Sequence, residues 1–166
     1  MAFLVSIPVL GLALIVQTAI LSRINLLSGN ADLILLVVAG WGLQARSRSA
    51  WVWAAIAGIL VGYISALPMY VPVAGYLLVM GLARLLQRRI WQAPLLAMFT
   101  VTFAGTLGMQ LLSYVAIWIL GNPLPLGESF SQVILPSTLL NLLLSIPIHA
   151  IMRDLASWLH PQEAEA

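Results

Sequence analysis

Few side chains in this sequence could perform chemistry, and their types and spacing exclude most reactions. There is no Cys, which removes disulfides, thiolate metal sites and a Cys nucleophile. His149 and His160 have no second ligand spaced to complete a metal site with either. The five acids do not fall where a Ser-His-Asp arrangement could form, and no Gly-rich loop is built to cradle phosphate. The residues therefore predict no catalytic, cofactor-binding or metal site, and a protein that is not an enzyme and needs no cofactor. Asp32 is the acid with a claim to membrane depth. An acid within a membrane is a functional candidate by default. Asp32 also follows Gly29-Asn30 and precedes an apolar segment, as a helix cap near the outer surface would, and that second interpretation is preferred.

Uncharged polar residues form two further sets. Thr102, Thr106, Gln110 and Ser113 make one; Ser137, Thr138, Asn141, Ser145 and His149 make the other. Each set advances mainly by three or four residues, so each lies along one helix face. In lipid such groups face the interior of a bundle. They could hydrogen-bond between two helices or line a pocket for a small polar substrate. The first is favoured, because the groups are few and of the types that join membrane helices. Gln110, Ser137, Asn141 and Ser145 are the expected interior network, with Asn141 bonded toward Gln110 or a neighbour. Gln17 is expected to add one more interior hydrogen bond. A third pattern is a stripe of small residues, Ala54, Gly58, Gly62 and Ala66, each four apart. Small residues let helix backbones approach. The stripe could pack within the chain's own bundle, the preferred interpretation, or dock another protein.

The elements that hold these groups follow from composition. Hydrophobic residues make up 62% of the 166 and charged residues 7%, with a mean hydropathy of +1.05. A soluble domain carries roughly a quarter charged residues, so lipid has to solvate most of this surface. The apolar runs lack the alternation of a membrane barrel, and every backbone group in lipid must be paired within its segment. The expected fold is an all-α integral membrane protein, a compact bundle of six transmembrane helices. The spans are placed at about 2–21, 32–44, 51–67, 73–86, 93–120 and 130–152. Residues 153–166 form a short tail that begins as an interfacial helix. The first span lacks the basic leader and the short core of a signal peptide, and is expected to be a retained helix. The whole is one domain.

All seven basic residues are Arg. Six spans place Arg46, Arg48, Arg84, Arg88, Arg89 and Arg153 on one side and Arg23 on the other. The side rich in arginine is then cytoplasmic, with both termini. Trp41, Trp51, Trp53, Trp91 and Trp158 all map to that boundary, as an aromatic belt would. Span 2 is shorter than the usual ~20 residues. A re-entrant span 2 would give five spans and an external N-terminus, which the arginines tolerate equally well. The net charge of +2 is too small and scattered for a nucleic-acid surface.

Three stretches resemble the rod shape-determining protein MreD family. One is Asp32-Leu33-Ile34-Leu35-Leu36-Val37-Val38 with Gly40-Trp41-Gly42. Another runs from Gly58 to Pro68 and leads on to Gly75 and Gly81. The last is Val133-Ile134-Leu135-Pro136-Ser137 with Leu139 to Leu144. The likeness extends over nearly the whole chain in length and span layout. Gly62 stands where the family often carries Asp, and Ala66 where Gly is usual.

The resemblance implies a non-enzymatic subunit of the bacterial cell-elongation machinery in the inner membrane. It would bind an MreC-like single-span membrane protein and sit with RodA, a class-B penicillin-binding protein and MreB. That assembly supports lateral peptidoglycan synthesis and rod shape. A homodimer is a further assembly left open. The alternative is the substrate-binding membrane subunit of an energy-coupling-factor-type vitamin transporter. Such subunits are of similar size and often carry an A-x-x-x-A pattern on the first helix. Here Ala13 and Ala19 do not have that spacing.

Overall fold

A helix that is apolar on every side has to be enclosed, and this fold is assembled around one. The computed structural model describes residues 2–20, 28–44, 49–89, 93–122 and 125–159. Six principal helices form: α1 (Ala2–Ala19), α2 (Leu33–Gly42), α3 (Ala50–Ile64), α4 (Tyr70–Arg89), α5 (Pro94–Ile119) and α7 (Leu135–Leu159). A single turn, α6 (Leu126–Ser129), leads through a π-helical turn at Phe130–Ile134 into α7. Among the described residues there is no strand.

All ten residues of α2 are buried. The helix contacts α1, α3, α4, α5 and α7, so the rest of the chain forms a sheath around it. Ten residues make about 15 Å of helix, half of a hydrocarbon core of about 30 Å. The expected span 32–44 is therefore a central helix of half-membrane length. Three segments are long and apolar enough to cross a membrane: Tyr70–Arg89, Pro94–Ile119 and Gly127–Leu159. Three apolar helices, including α2, are shorter.

The other boundaries differ from the expected ones for local reasons. Helix α4 starts at Tyr70 rather than Val73, because Pro72 falls in the first turn, where an N–H has no helical partner to lose. It ends on Arg88 and Arg89, cations that suit the negative end of a helix. Helix α3 stops at Ile64, short of 67. Ser65 is extended, with ψ of 145°, and its hydroxyl accepts from the Leu67 N–H at 3.1 Å. Ala66 therefore lies in a turn and is off the α3 face. Pro94 opens α5, and Gly121, with φ of +86°, follows its end, as a left-handed residue does at a helix terminus. Helix α7 runs unbroken to Leu159, beyond the expected end of span 6.

Helices α3 and α4 cross at glycine distance. A Cβ on Gly58 would lie 2.5 Å from the Val73 Cα, and one on Gly62 would lie 2.9 Å from the Met69 Cγ. Ala54 on the same face is fully buried. At the far end of α2, Trp41 and Trp53 stack with centroids 4.3 Å apart, and neither is exposed to any extent. These two tryptophans are core residues rather than part of an aromatic belt. Trp51 and Trp158 are exposed, and Trp91 lies outside the described residues. So do Arg23, Arg46, Arg48, His160 and the end of the tail.

Candidate functional site

The N-terminus of α2 begins inside the bundle, and its backbone amides need partners there. The chain supplies them from four directions. The Asp32 carboxylate accepts the Leu35 N–H at 2.9 Å, a helix cap. Gln17, on α1, accepts the Ile34 N–H at 3.2 Å. The Asp32 N–H donates to the Asn141 Oδ1, on α7, at 2.8 Å. Two residues earlier, the Asn30 N–H donates to the Ser137 Oγ at 3.1 Å. Asn141 then uses its amide to donate to the Thr106 Oγ1, on α5, at 3.0 Å. The Tyr76 hydroxyl, on α4, donates across both oxygens of Asp32 at 3.1 and 3.0 Å. One cap thus ties α1, α4, α5 and α7 to the start of α2.

Helix rise gives the depth of this junction. The arginine-bearing ends lie together. The Arg84 guanidinium donates to the Gln44 carbonyl just beyond α2 at 3.2 Å, and Gly40 abuts Met152, beside Arg153. Eight residues separate Tyr76 from Arg84, and twelve separate Asn141 from Arg153. At 1.5 Å per residue these are about 12 and 18 Å. Asp32 does cap α2, about 12 to 18 Å along the bundle axis from the arginine-bearing end.

Beside the junction is a cavity of about 210 Å³. Its polar wall includes Gln17, Asn30, Asp32, Tyr76, Gln110 and Ser113, with Ser65 and Leu67 at one edge and apolar surface from Val61, Pro72 and Met109. Ser65 and Leu67 belong to the α3–α4 turn, so the cavity lies toward the end of the bundle away from the arginines.

The structure brings together some of the residues singled out in the sequence and separates others. Ser137 and Asn141 belong to the junction. Gln110 lines the cavity, and Asn141 bonds to Thr106, one turn earlier on the same α5 face. Ser145 is buried apart from them, its hydroxyl donating to the Leu142 carbonyl at 2.6 Å. Gly58 and Gly62 are taken up by α4, while Ala66 is exposed in the turn. Thr102 and His149 are buried, and neither the Thr102 Oγ1 nor the His149 Nδ1 meets a hydrogen-bond partner. Sequence reasoning did not single out Tyr76. Its signal was a phenol within an apolar helix, since a buried Tyr hydroxyl usually finds a partner. Among the described residues no group of three His, Asp or Glu gathers as a metal site would require.

Compared with family models, with curated proteins and with solved structures, the chain has no match.

Proposed function

We propose that the protein is an MreD-like membrane scaffold, a non-enzymatic subunit that binds partner helices of the bacterial cell-elongation machinery. One observation carries this reading. The three stretches that resemble the family are far apart in sequence and meet in the fold. Asp32 of the first bonds to Asn141 of the third. The end of the second, at Ser65 and Leu67, lines the cavity beside them. A shared fold requires that these stretches meet, and the polar bond between the first and the third makes the meeting specific.

The same reading places six helices in the inner membrane with both termini in the cytoplasm. The gathering of Arg84, Arg88, Arg89 and Arg153 at one end supports that orientation. Ile64, Met69 and Tyr70 stand exposed around the α3–α4 turn at the opposite end. Apolar surface of this kind outside the bilayer is suited to a partner. The test is to purify the chain from its native membrane in mild detergent. An MreC-like single-span protein should travel with it, with RodA, a class-B penicillin-binding protein and MreB as further members. Complex formation should need no nucleotide or metal. A second reading, a ligand-binding subunit of an energy-coupling-factor-type transporter, draws on the cavity. It forecasts a transmembrane ATPase module in the same purification and a bound vitamin-like compound. An ATPase module without an MreC-like protein would overturn the scaffold reading.

A further inference from the structure

Beyond any scaffold role, the cavity next to Asp32 has a directional hydrogen-bonding wall. The Tyr76 proton is committed to the Asp32 carboxylate, so the phenol oxygen has only lone pairs left to offer. The Ser113 hydroxyl donates to the Met109 carbonyl at 2.9 Å and likewise presents its oxygen. Asp32 accepts from Leu35 on one oxygen and from Tyr76 across both, three contacts against roughly four acceptor positions of a carboxylate. Gln110 lines the cavity and forms no hydrogen bond with the described residues, so its amide oxygen and its NH2 are both available. The wall therefore presents acceptors on Asp32, Tyr76, Ser113 and Gln110, beside donors on the Gln17 and Gln110 amides and the Ser65 hydroxyl, and Asp32 is its one formally anionic group. Among the described residues no basic side chain pairs with Asp32: the one ion pair is Arg153–Asp154 at 3.2 Å.

We propose that this cavity binds a small organic cation with N–H donors, a primary ammonium compound, anchored on Asp32. Charge and wall chemistry both select it. The carboxylate occupies the positive end of α2, so a second anion is disfavoured there, while a cation meets an acid surrounded by apolar helices where screening is weak. The ammonium N–H groups match the oxygens of Asp32, Gln110 and Ser113. Size selects further, because the volume is that of roughly seven waters. Entry is from the end of the bundle opposite the arginines, past Ser65.

The test uses the full chain in phosphatidylcholine nanodiscs, with thermal unfolding followed by tryptophan fluorescence. Ethylammonium chloride is the probe. Tetramethylammonium chloride at equal ionic strength supplies the charge without N–H donors. A saturable rise in Tm of several degrees with ethylammonium and none with tetramethylammonium is expected. Asp32→Asn keeps a good cap and should abolish the shift. Gln110→Ala leaves the cap untouched and should weaken apparent binding several-fold. No saturable shift in the wild-type chain, or an equal shift in Asp32→Asn, overturns the proposal. A response that appears only in Arg23→Ala overturns it too, since the acid would then be matched from within the chain. Loss of this binding leaves the scaffold reading standing, because co-purification of a partner tests that separately.

Discussion

The backbone N–H of Asp32 donates to the side-chain oxygen of Asn141 at 2.8 Å, across 109 positions of sequence. This bond is how a half-length helix can begin inside an apolar bundle. A buried amide with no partner costs about 1 to 3 kcal/mol. Asn141 meets that need and passes the connection on to Thr106, so one side chain holds the starts of three packing relationships together.

Asn141→Leu should therefore be more damaging than loss of one membrane hydrogen bond, which averages about 0.6 kcal/mol. It removes two bonds and strands the Asp32 N–H, so about 1 to 3 kcal/mol is expected. Thr106→Val removes only the second bond and should cost less than half as much. Unfolding of both variants and the double mutant in mixed micelles checks this. If Asn141→Leu is no worse than Thr106→Val, Asn141 does not support the α2 terminus.

The two glycines of the α3–α4 crossing should respond differently. A methyl on Gly58 would press on the Val73 backbone, which cannot turn away, while one on Gly62 would press on the flexible Met69 side chain. Gly58→Ala is expected to cost about 1 to 3 kcal/mol, as overpacking does, and Gly62→Ala under about 1 kcal/mol. Ala66→Leu, in the exposed turn, should be close to neutral. Equal losses at positions 58, 62 and 66 would mean that the stripe packs as one continuous face.

How much of this could be read in the sequence depended on what each residue faces. The helices were legible because apolar runs broken by arginine, proline and glycine admit little else. The status of α2 was not. A run from Leu33 to Gly42 looks the same whether lipid or other helices enclose it, since both are apolar. Trp41 and Trp53 were misplaced for the same reason: their position near arginines fits a belt, and only the packing shows them stacked inside. The polar faces of α5 and α7 were legible from spacing. That Asn141 meets Thr106 while Gln110 turns to the cavity was not, because it depends on how far α7 is shifted along α5. Ala66 continued the four-residue spacing, but the chain turns at Ser65 before that spacing can matter.

Thr102→Val should be neutral or stabilising by up to about 1 kcal/mol. The Thr102 hydroxyl is fully buried without a hydrogen-bond partner, so it carries a desolvation cost that an apolar side chain of the same shape avoids. The comparison is with Thr106→Val, which removes a hydroxyl of the same type that does accept a bond. The two variants should shift Tm in opposite directions, or Thr106→Val alone should lower it. A drop at Thr102→Val equal to that at Thr106→Val would show that the Thr102 hydroxyl is engaged in the membrane.

Topology gives the final prediction, and single cysteines can test it because the chain has none of its own. Arg89 at the end of α4 and Ser157 near the end of α7 are both exposed, and both belong to the end of the bundle where Arg84 and Arg153 gather. Asn122 follows α5, whose 26 residues span about 39 Å, and so lies at the other end. On the proposed orientation, the excess of arginine puts the first end on the cytoplasmic side. In spheroplasts, Asn122→Cys should react with an impermeant maleimide, while Arg89→Cys and Ser157→Cys should react only after the membrane is opened. Ser65→Cys tests the cavity in the same assay. It borders the cavity from the α3–α4 turn, so a small methanethiosulfonate reagent should reach it from the Asn122 side, more slowly than it reaches Asn122. Labelling of Ser157→Cys in intact spheroplasts would invert the bundle. Labelling of Ser65→Cys only from the arginine side would place the mouth of the cavity at the wrong end.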